Sequence, residues 1–134
     1  MVKILDSYAL MVFFEREPGY EKVKELFSQA VEKDTNLLMT AVNYGEIYYI
    51  TLREYGQEKV EQIEKIIKTL PIEVVDVDAE LAREAGLIKA HNKISYADCF
   101  AAALAKIKKG EVITGDKEFE CLEKSIKILW LKGD

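Results

Sequence analysis

Val2-Lys3-Ile4-Leu5-Asp6-Ser7-Tyr8-Ala9-Leu10-Met11-Val12-Phe13-Phe14 is the stretch that decides the fold. Residues 2–5 have the length and β-branched content of a short buried strand. A lone acid, Asp6, follows. Residues 8–14 then form an unbroken apolar run as long as any in the chain, which reads as a helix that Pro18-Gly19 terminates. A strand without apolar–polar alternation is buried on both faces, and that is the habit of parallel sheets covered by helices.

The pattern repeats outward from there. Gly19 opens an amphipathic helix with Val23, Leu26, Phe27 and Ala30 on one face and Glu21, Lys24, Glu25 and Lys33 on the other. Residues 37–39 read as the second strand. Thr40 caps a helix over residues 41–55 that Gly56 ends. A further helix over 57–70 carries Glu61/Lys65 and Glu64/Lys68 as i,i+4 pairs, and Pro71 stops it. Strands at 72–77, 112–114 and 126–131 alternate with helices at 79–92, 95–109 and 117–124. This alternation predicts one α/β domain over residues 1–134, a three-layer α/β/α sandwich with a central parallel sheet.

At 134 residues, 49% hydrophobic and 32% charged, the chain has an ordinary globular balance. The apolar run at 8–14 is far short of the ~20 residues of a membrane span, so a soluble, cytoplasmic protein with no membrane partner is expected. Two cysteines, Cys99 and Cys121, and one histidine, His91, leave too few soft ligands for a zinc site and no disulfide framework. Any metal must be held by oxygen. With 24 acidic against 19 basic residues and a net charge of -5, a nucleic acid would have to be met locally rather than by bulk attraction.

In an open α/β sheet, ligands bind at the carboxyl ends of the strands, where strand order reverses. Asp6 follows the first strand and Asp116 the fourth, in Thr114-Gly115-Asp116, where Gly115 is expected to permit a sharp exit. Glu46 falls on a stripe with Val42 and Tyr49/Ile50, where an inward apolar residue would be expected. Asp98 lies in the first turn of the sixth helix, and Ser95-x-x-Asp98 also fits a capping box. Each acid has a bland explanation as a cap or a solvated charge; four on one sheet edge do not. At ~4 Å and an effective dielectric of about 20, each like-charged pair repels by on the order of 4 kcal/mol, so protons or cations must occupy such a cluster. All-oxygen ligation selects hard ions such as Mg²⁺ or Mn²⁺, and the chemistry these support is phosphodiester hydrolysis.

Four segments carry a family resemblance: Ile4-Leu5-Asp6-Ser7; Ala41-Val42-Asn43-Tyr44-Gly45-Glu46-Ile47-Tyr48-Tyr49; Ser95-Tyr96-Ala97-Asp98-Cys99-Phe100 with the alanine-rich run after it; and Val112-Ile113-Thr114-Gly115-Asp116-Lys117-Glu118-Phe119. In order and spacing they resemble the signature segments of PIN-domain ribonucleases, most closely the VapC-type toxins of toxin–antitoxin pairs. The resemblance implies a magnesium-dependent endoribonuclease with Asp6, Glu46, Asp98 and Asp116 as catalytic and metal-binding acids. It further implies Ser7, Asn43, Ser95 and Thr114 as groups that orient the carboxylates, a homodimer, and silencing by a cognate antitoxin. Gly45 departs from good helix chemistry and is read as permitting close packing.

Other residues fit less chemistry. Lys117 and Arg53 are the candidate phosphate contacts to the RNA substrate. His91 reads as a surface residue near a helix end, Tyr44, Tyr48, Tyr49 and Tyr55 as packing or interface groups, and Trp130 as packing. Three rivals stand beside the toxin: an RNA-processing PIN nuclease without an antitoxin, a catalytically silent PIN-like binding module, and a signalling receiver domain. The last usually pairs acids near its first strand and places a lysine after its last; here Asp6 stands alone and Lys132 is poorly placed.

Overall fold

The computed structural model describes residues 1–131. Five short strands, β1 (Lys3–Leu5), β2 (Leu37–Thr40), β3 (Ile72–Val75), β4 (Glu111–Thr114) and β5 (Lys127–Trp130), form one parallel sheet in the order β3-β2-β1-β4-β5. The chain therefore winds outward from β1 to β3, then returns to the other side of β1 for β4 and β5. Strand order reverses between β1 and β4, which lie in register with Ile4 opposite Val112 and Leu5 opposite Ile113.

Alternation along the strands divides the core in two, because successive side chains point to opposite faces. Ile4 and Val112 pack with α5 (Ala79–His91) and α6 (Tyr96–Lys108). Leu5 and Ile113 pack with α1 (Ser7–Glu15), α2 (Tyr20–Glu32), α3 (Ala41–Tyr55) and α4 (Gln57–Thr69). From Asp98 to Ala105 every residue of α6 is buried, and the small alanines let that helix lie close against its neighbours. These are the three layers expected. Among the described residues, no helix is long and apolar enough to cross a membrane.

Several expectations need correction. α1 ends at Glu15 through Arg16, whose φ of 53° is left-handed, so the chain turns before it reaches Pro18-Gly19. Gly19 does open α2, with a φ of 105°. β3 is shorter than residues 72–77 and its Glu73 and Val74 are exposed: as an edge strand it has only one covered side. The 117–124 segment is a 3₁₀ helix over Lys117–Leu122. Neither Glu61/Lys65 nor Glu64/Lys68 forms an ion pair; Glu64 instead accepts the hydroxyl of Tyr44 across the α3–α4 interface. Lys132 lies outside the described residues.

Gly45 is not there for close packing. It is exposed, and a Cβ built on it would meet no atom within 4 Å. Gly45→Ala is therefore expected to stabilise the chain by up to about 1 kcal/mol, because alanine loses less backbone entropy in a helix. Thermal unfolding of the variant, with a midpoint a few degrees above the parent, checks this.

Candidate active site

The switch between β1 and β4 places Asp6 and Asp116 on neighbouring strand exits. Asp6 is fully buried and is the N-cap of α1: its Oδ1 accepts the backbone N–H of Ala9 at 2.8 Å. Its second oxygen, Oδ2, is buried without a hydrogen-bond partner. The Thr114 hydroxyl favours ionisation of this carboxyl but closes no bond of normal geometry to Oδ2. Burial therefore wins, and with the charges of Asp98 and Asp116 nearby it pushes the group from 3.8 up to about 8. The capping and metal-binding readings of Asp6 are thus not alternatives. One oxygen serves the helix and the other is left over.

Asp116 repeats the arrangement. As N-cap of the 3₁₀ helix, its Oδ1 accepts the N–H of Glu118 at 2.9 Å, and its own N–H donates to the Thr114 hydroxyl at 3.0 Å. Gly115 has no left-handed φ, so a sharp exit is not its reason. The ring of Tyr8 lies against it instead, and a Cβ there would come within 2.5 Å of the Tyr8 Cε1. Gly115→Ala is expected to push the ring aside at a cost of about 1–3 kcal/mol, as overpacking usually does, read as a lower unfolding midpoint.

Asp98 is 7% exposed and is not the cap of α6. Ser95 is: its Oγ accepts the Asp98 N–H at 3.3 Å. In a complete capping box the acid at the third position would accept the N–H of the cap residue. Here Glu118 accepts the Ser95 N–H at 2.9 Å, and the carboxylate of Asp98 is released from that duty. Burial, with the charges of Asp116, Glu46 and Glu118, raises Asp98 to about 7 against the favourable hydroxyl of Ser95.

Carboxylate oxygens of Asp98, Asp116 and Glu118 all lie within 4.8 Å of one another. Glu118 was not singled out from the sequence. The available signal was Asp116-x-Glu118 directly after a strand, set beside a capping box whose third residue is Asp rather than Glu or Gln. Glu46 lines the same open groove of about 340 Å³ as these three acids, together with Tyr8, Met11, Glu17 and Ile50. Its helix stripe reads differently from the expectation. The buried positions of α3 are Asn43, Ile47 and Thr51, while Val42, Glu46 and Ile50 are only half-buried. Glu46 flanks the core and edges the groove rather than interrupting a core stripe.

Of the four residues expected to orient carboxylates, two reach the acids. Ser95 and Thr114 bond the backbone of Asp98 and Asp116 and bear on the carboxyls of Asp98 and Asp6. Ser7 and Asn43 do something else. Asn43 Nδ2 donates to Ser7 Oγ and to the Ala97 carbonyl, both at 3.2 Å, while Thr40 donates to Asn43 Oδ1 at 2.5 Å. This buried network ties the starts of α1, α3 and α6 together, and with them Asp6, Glu46 and Asp98. Lys117 and Arg53 do not line the groove: Lys117 is exposed, and Arg53 lies over the Tyr49 ring at 5.6 Å. His91 is on the surface, with its ring nitrogen 3.0 Å from the Leu87 carbonyl oxygen.

What the site can hold follows from its donors. A fully buried carboxylate oxygen without a partner, beside a group of three acids and with no lysine or arginine among the described residues lining the groove, fits a hard divalent cation. The comparisons with known proteins agree in kind. The PIN domain model matches residues 3–124. Ribonuclease VapC30 of Mycobacterium tuberculosis is 25% identical over 124 residues, covering 87% of this chain and 92% of the relative. Among solved structures, DNA-bound VapBC from Salmonella typhimurium superposes with a TM-score of 0.80 at 20% identity, over 98% of this chain and 99% of that one. The Sarcin-Ricin loop cleaving toxin VapC20 of Mycobacterium tuberculosis gives 0.72 at 16% identity, over 92% and 95%. With the family model spanning both strand exits and the helices that carry Glu46 and Asp98, the chain belongs to the PIN-domain family.

Proposed function

We propose that this protein is a metal-dependent endoribonuclease of the VapC type, the toxin of a toxin–antitoxin pair, built as a single domain over residues 1–134. The observation that carries the reading is the unpartnered Oδ2 of Asp6 beside Asp98 and Asp116. A fold that buries a carboxylate and leaves half of it unsatisfied is explained by a cation there. Asp6, Glu46, Asp98 and Asp116 would hold the metal. Bound Mg²⁺ or Mn²⁺ would supply acidity to the attacking water and charge to offset the scissile phosphate.

The chain's own residues account for the remaining demands. Ser95 and Thr114 fix the backbone of two of the acids, and the Asn43 network fixes the helices that carry the others. Acidic walls repel an RNA backbone unless a cation intervenes, so the same carboxylates exclude phosphate from an unloaded site. Lys117 and Arg53, outside the groove, are left with contacts to flanking phosphates. The chemistry ends in 5′-phosphate and 3′-hydroxyl products. An RNA substrate places the protein in the cytoplasm, and a homodimer and a cognate antitoxin are its protein partners. Several similar solved structures are toxin–antitoxin complexes, which favours the toxin over an unpaired RNA-processing enzyme.

The test is cleavage of a panel of structured RNAs by protein stripped of any co-purifying partner. Cutting is expected with Mg²⁺ or Mn²⁺, none with EDTA, and recovery on adding the cation back. Cleavage undiminished by EDTA would overturn the reading.

A further inference from the structure

Three hydrogen bonds in series join two acids that belong to different elements. The Asp98 N–H donates to Ser95 Oγ at 3.3 Å, the Ser95 N–H donates to Glu118 Oε1 at 2.9 Å, and the Glu118 N–H donates to Asp116 Oδ1 at 2.9 Å. Asp98 rides on the first turn of α6, and Asp116 on the exit of β4. Apart from the Ser95 hydroxyl and the carboxylates of Glu118 and Asp116, every member of the series is backbone, and the exposed Glu118 side chain is the one link that spans the two elements.

We propose that Glu118 is a positioning residue, which takes over the capping-box acceptor role from Asp98 and thereby sets the separation of the Asp98 and Asp116 carboxylates for a divalent cation. The role rests on the metal-dependent reading above and adds to it a residue that acts through others. The chemistry of the exchange is specific. Had Asp98 accepted the Ser95 N–H, its carboxylate would be turned back on its own helix, as reciprocal capping requires. Glu118 supplies that acceptor from outside the helix, and a charged acceptor at a helix N-terminus is favoured by the helix dipole. The Asp98 carboxylate, met by the Ser95 hydroxyl but by no capping N–H, is left to line the groove. The buried, unpartnered Oδ2 of Asp6, which feels the charges of both Asp98 and Asp116, is the independent sign that a cation is wanted between them.

Hydrogen-bond acceptance, rather than charge, is the property this role needs. Glutamine at 118 keeps an acceptor oxygen at the same reach; alanine does not. Wild type, E118Q and E118A are compared by the Mn²⁺ concentration giving half-maximal thermal stabilisation, by amide hydrogen exchange at Ser95, and by RNA cleavage. E118A is expected to raise the Mn²⁺ midpoint by roughly 10- to 100-fold, the usual effect of losing a group that holds a ligand in place, and to speed exchange at Ser95. E118Q is expected to remain within about threefold of wild type on both, by the same measure of what a retained orienting bond preserves.

Equal damage from E118Q and E118A would overturn the proposal in favour of a direct charge contact with the cation. An E118A chain indistinguishable from wild type would overturn it as well. Metal binding and exchange are read without any RNA, so the two readings fail separately. A wild type that binds Mn²⁺ but cuts nothing defeats the nuclease and leaves the positioning role standing on its own results. A wild type that gains no stability from Mn²⁺ defeats both.

Discussion

Asp98→Asn is expected to lower RNA cleavage at least a thousandfold, about 4 kcal/mol of transition-state stabilisation, while leaving the metal-free fold more stable than the parent at pH 8. The two effects share a cause. The Asp98 carboxylate is buried among like charges, and no hydrogen bond that caps α6 depends on it, since Ser95 and Glu118 carry that work. Asparagine keeps the shape and removes the charge, so repulsion is relieved while the capacity to hold a cation is lost. Asp6→Asn is expected to behave alike, because the amide oxygen still accepts the Ala9 N–H and α1 keeps its cap. Single-turnover cleavage and thermal unfolding at pH 8, without metal, check both variants. Full activity in either, or unfolding at a lower temperature than the parent, would count against a shared cation site.

The second large effect concerns pH. Asp6 and Asp98 have folded-state values of about 8 and about 7 against an ordinary 3.8, so between these limits the folded state holds protons that the unfolded state has released. For such groups stability is fully present below the unfolded value and is lost as pH rises through the folded one. The metal-free protein is therefore expected to lose stability from about pH 4 to about pH 8, by up to about 1.4 kcal/mol per pH unit for each carboxyl while it titrates. A divalent cation reverses the trend. It competes with the protons, so its stabilising effect grows toward pH 8 and shrinks at pH 5. Unfolding midpoints measured across pH 5–8, with EDTA and with Mg²⁺, test this directly. A flat metal-free profile, equal at both ends, would contradict it.

Most of this architecture is written in local chemistry. Thr40 accepts the Asn43 N–H, Gly56 closes α3, and Gly19 opens α2 with a positive φ, each as the residue types demand. The alternation of short apolar strands with helices suffices for the layers, and the rule for strand exits finds Asp6 and Asp116. What escaped reading depends on partners distant in sequence. Glu118 looks like one more surface acid until Ser95, on another element, is seen to donate to it. The stripe containing Glu46 misleads because α3 buries toward Asn43 and Ile47, and spacing along one helix carries no sign that α6 and α4 meet it on that side. Gly115 shows the same limit: the need for glycine arises from the Tyr8 ring, which no neighbour in sequence reveals.

The place where strand order turns back has a meaning for synthesis as well as for ligand binding. β1 is bracketed by β2 and β4, so the first of the five described strands waits for the fourth before its second edge is paired. Asp6 is translated long before Asp116, and the two strand exits lie side by side only once β4 has paired with β1. The acids are therefore brought together only after β4 and the turn beyond it have left the exit tunnel, and the late closure of a long-range parallel pairing makes that interval a slow one.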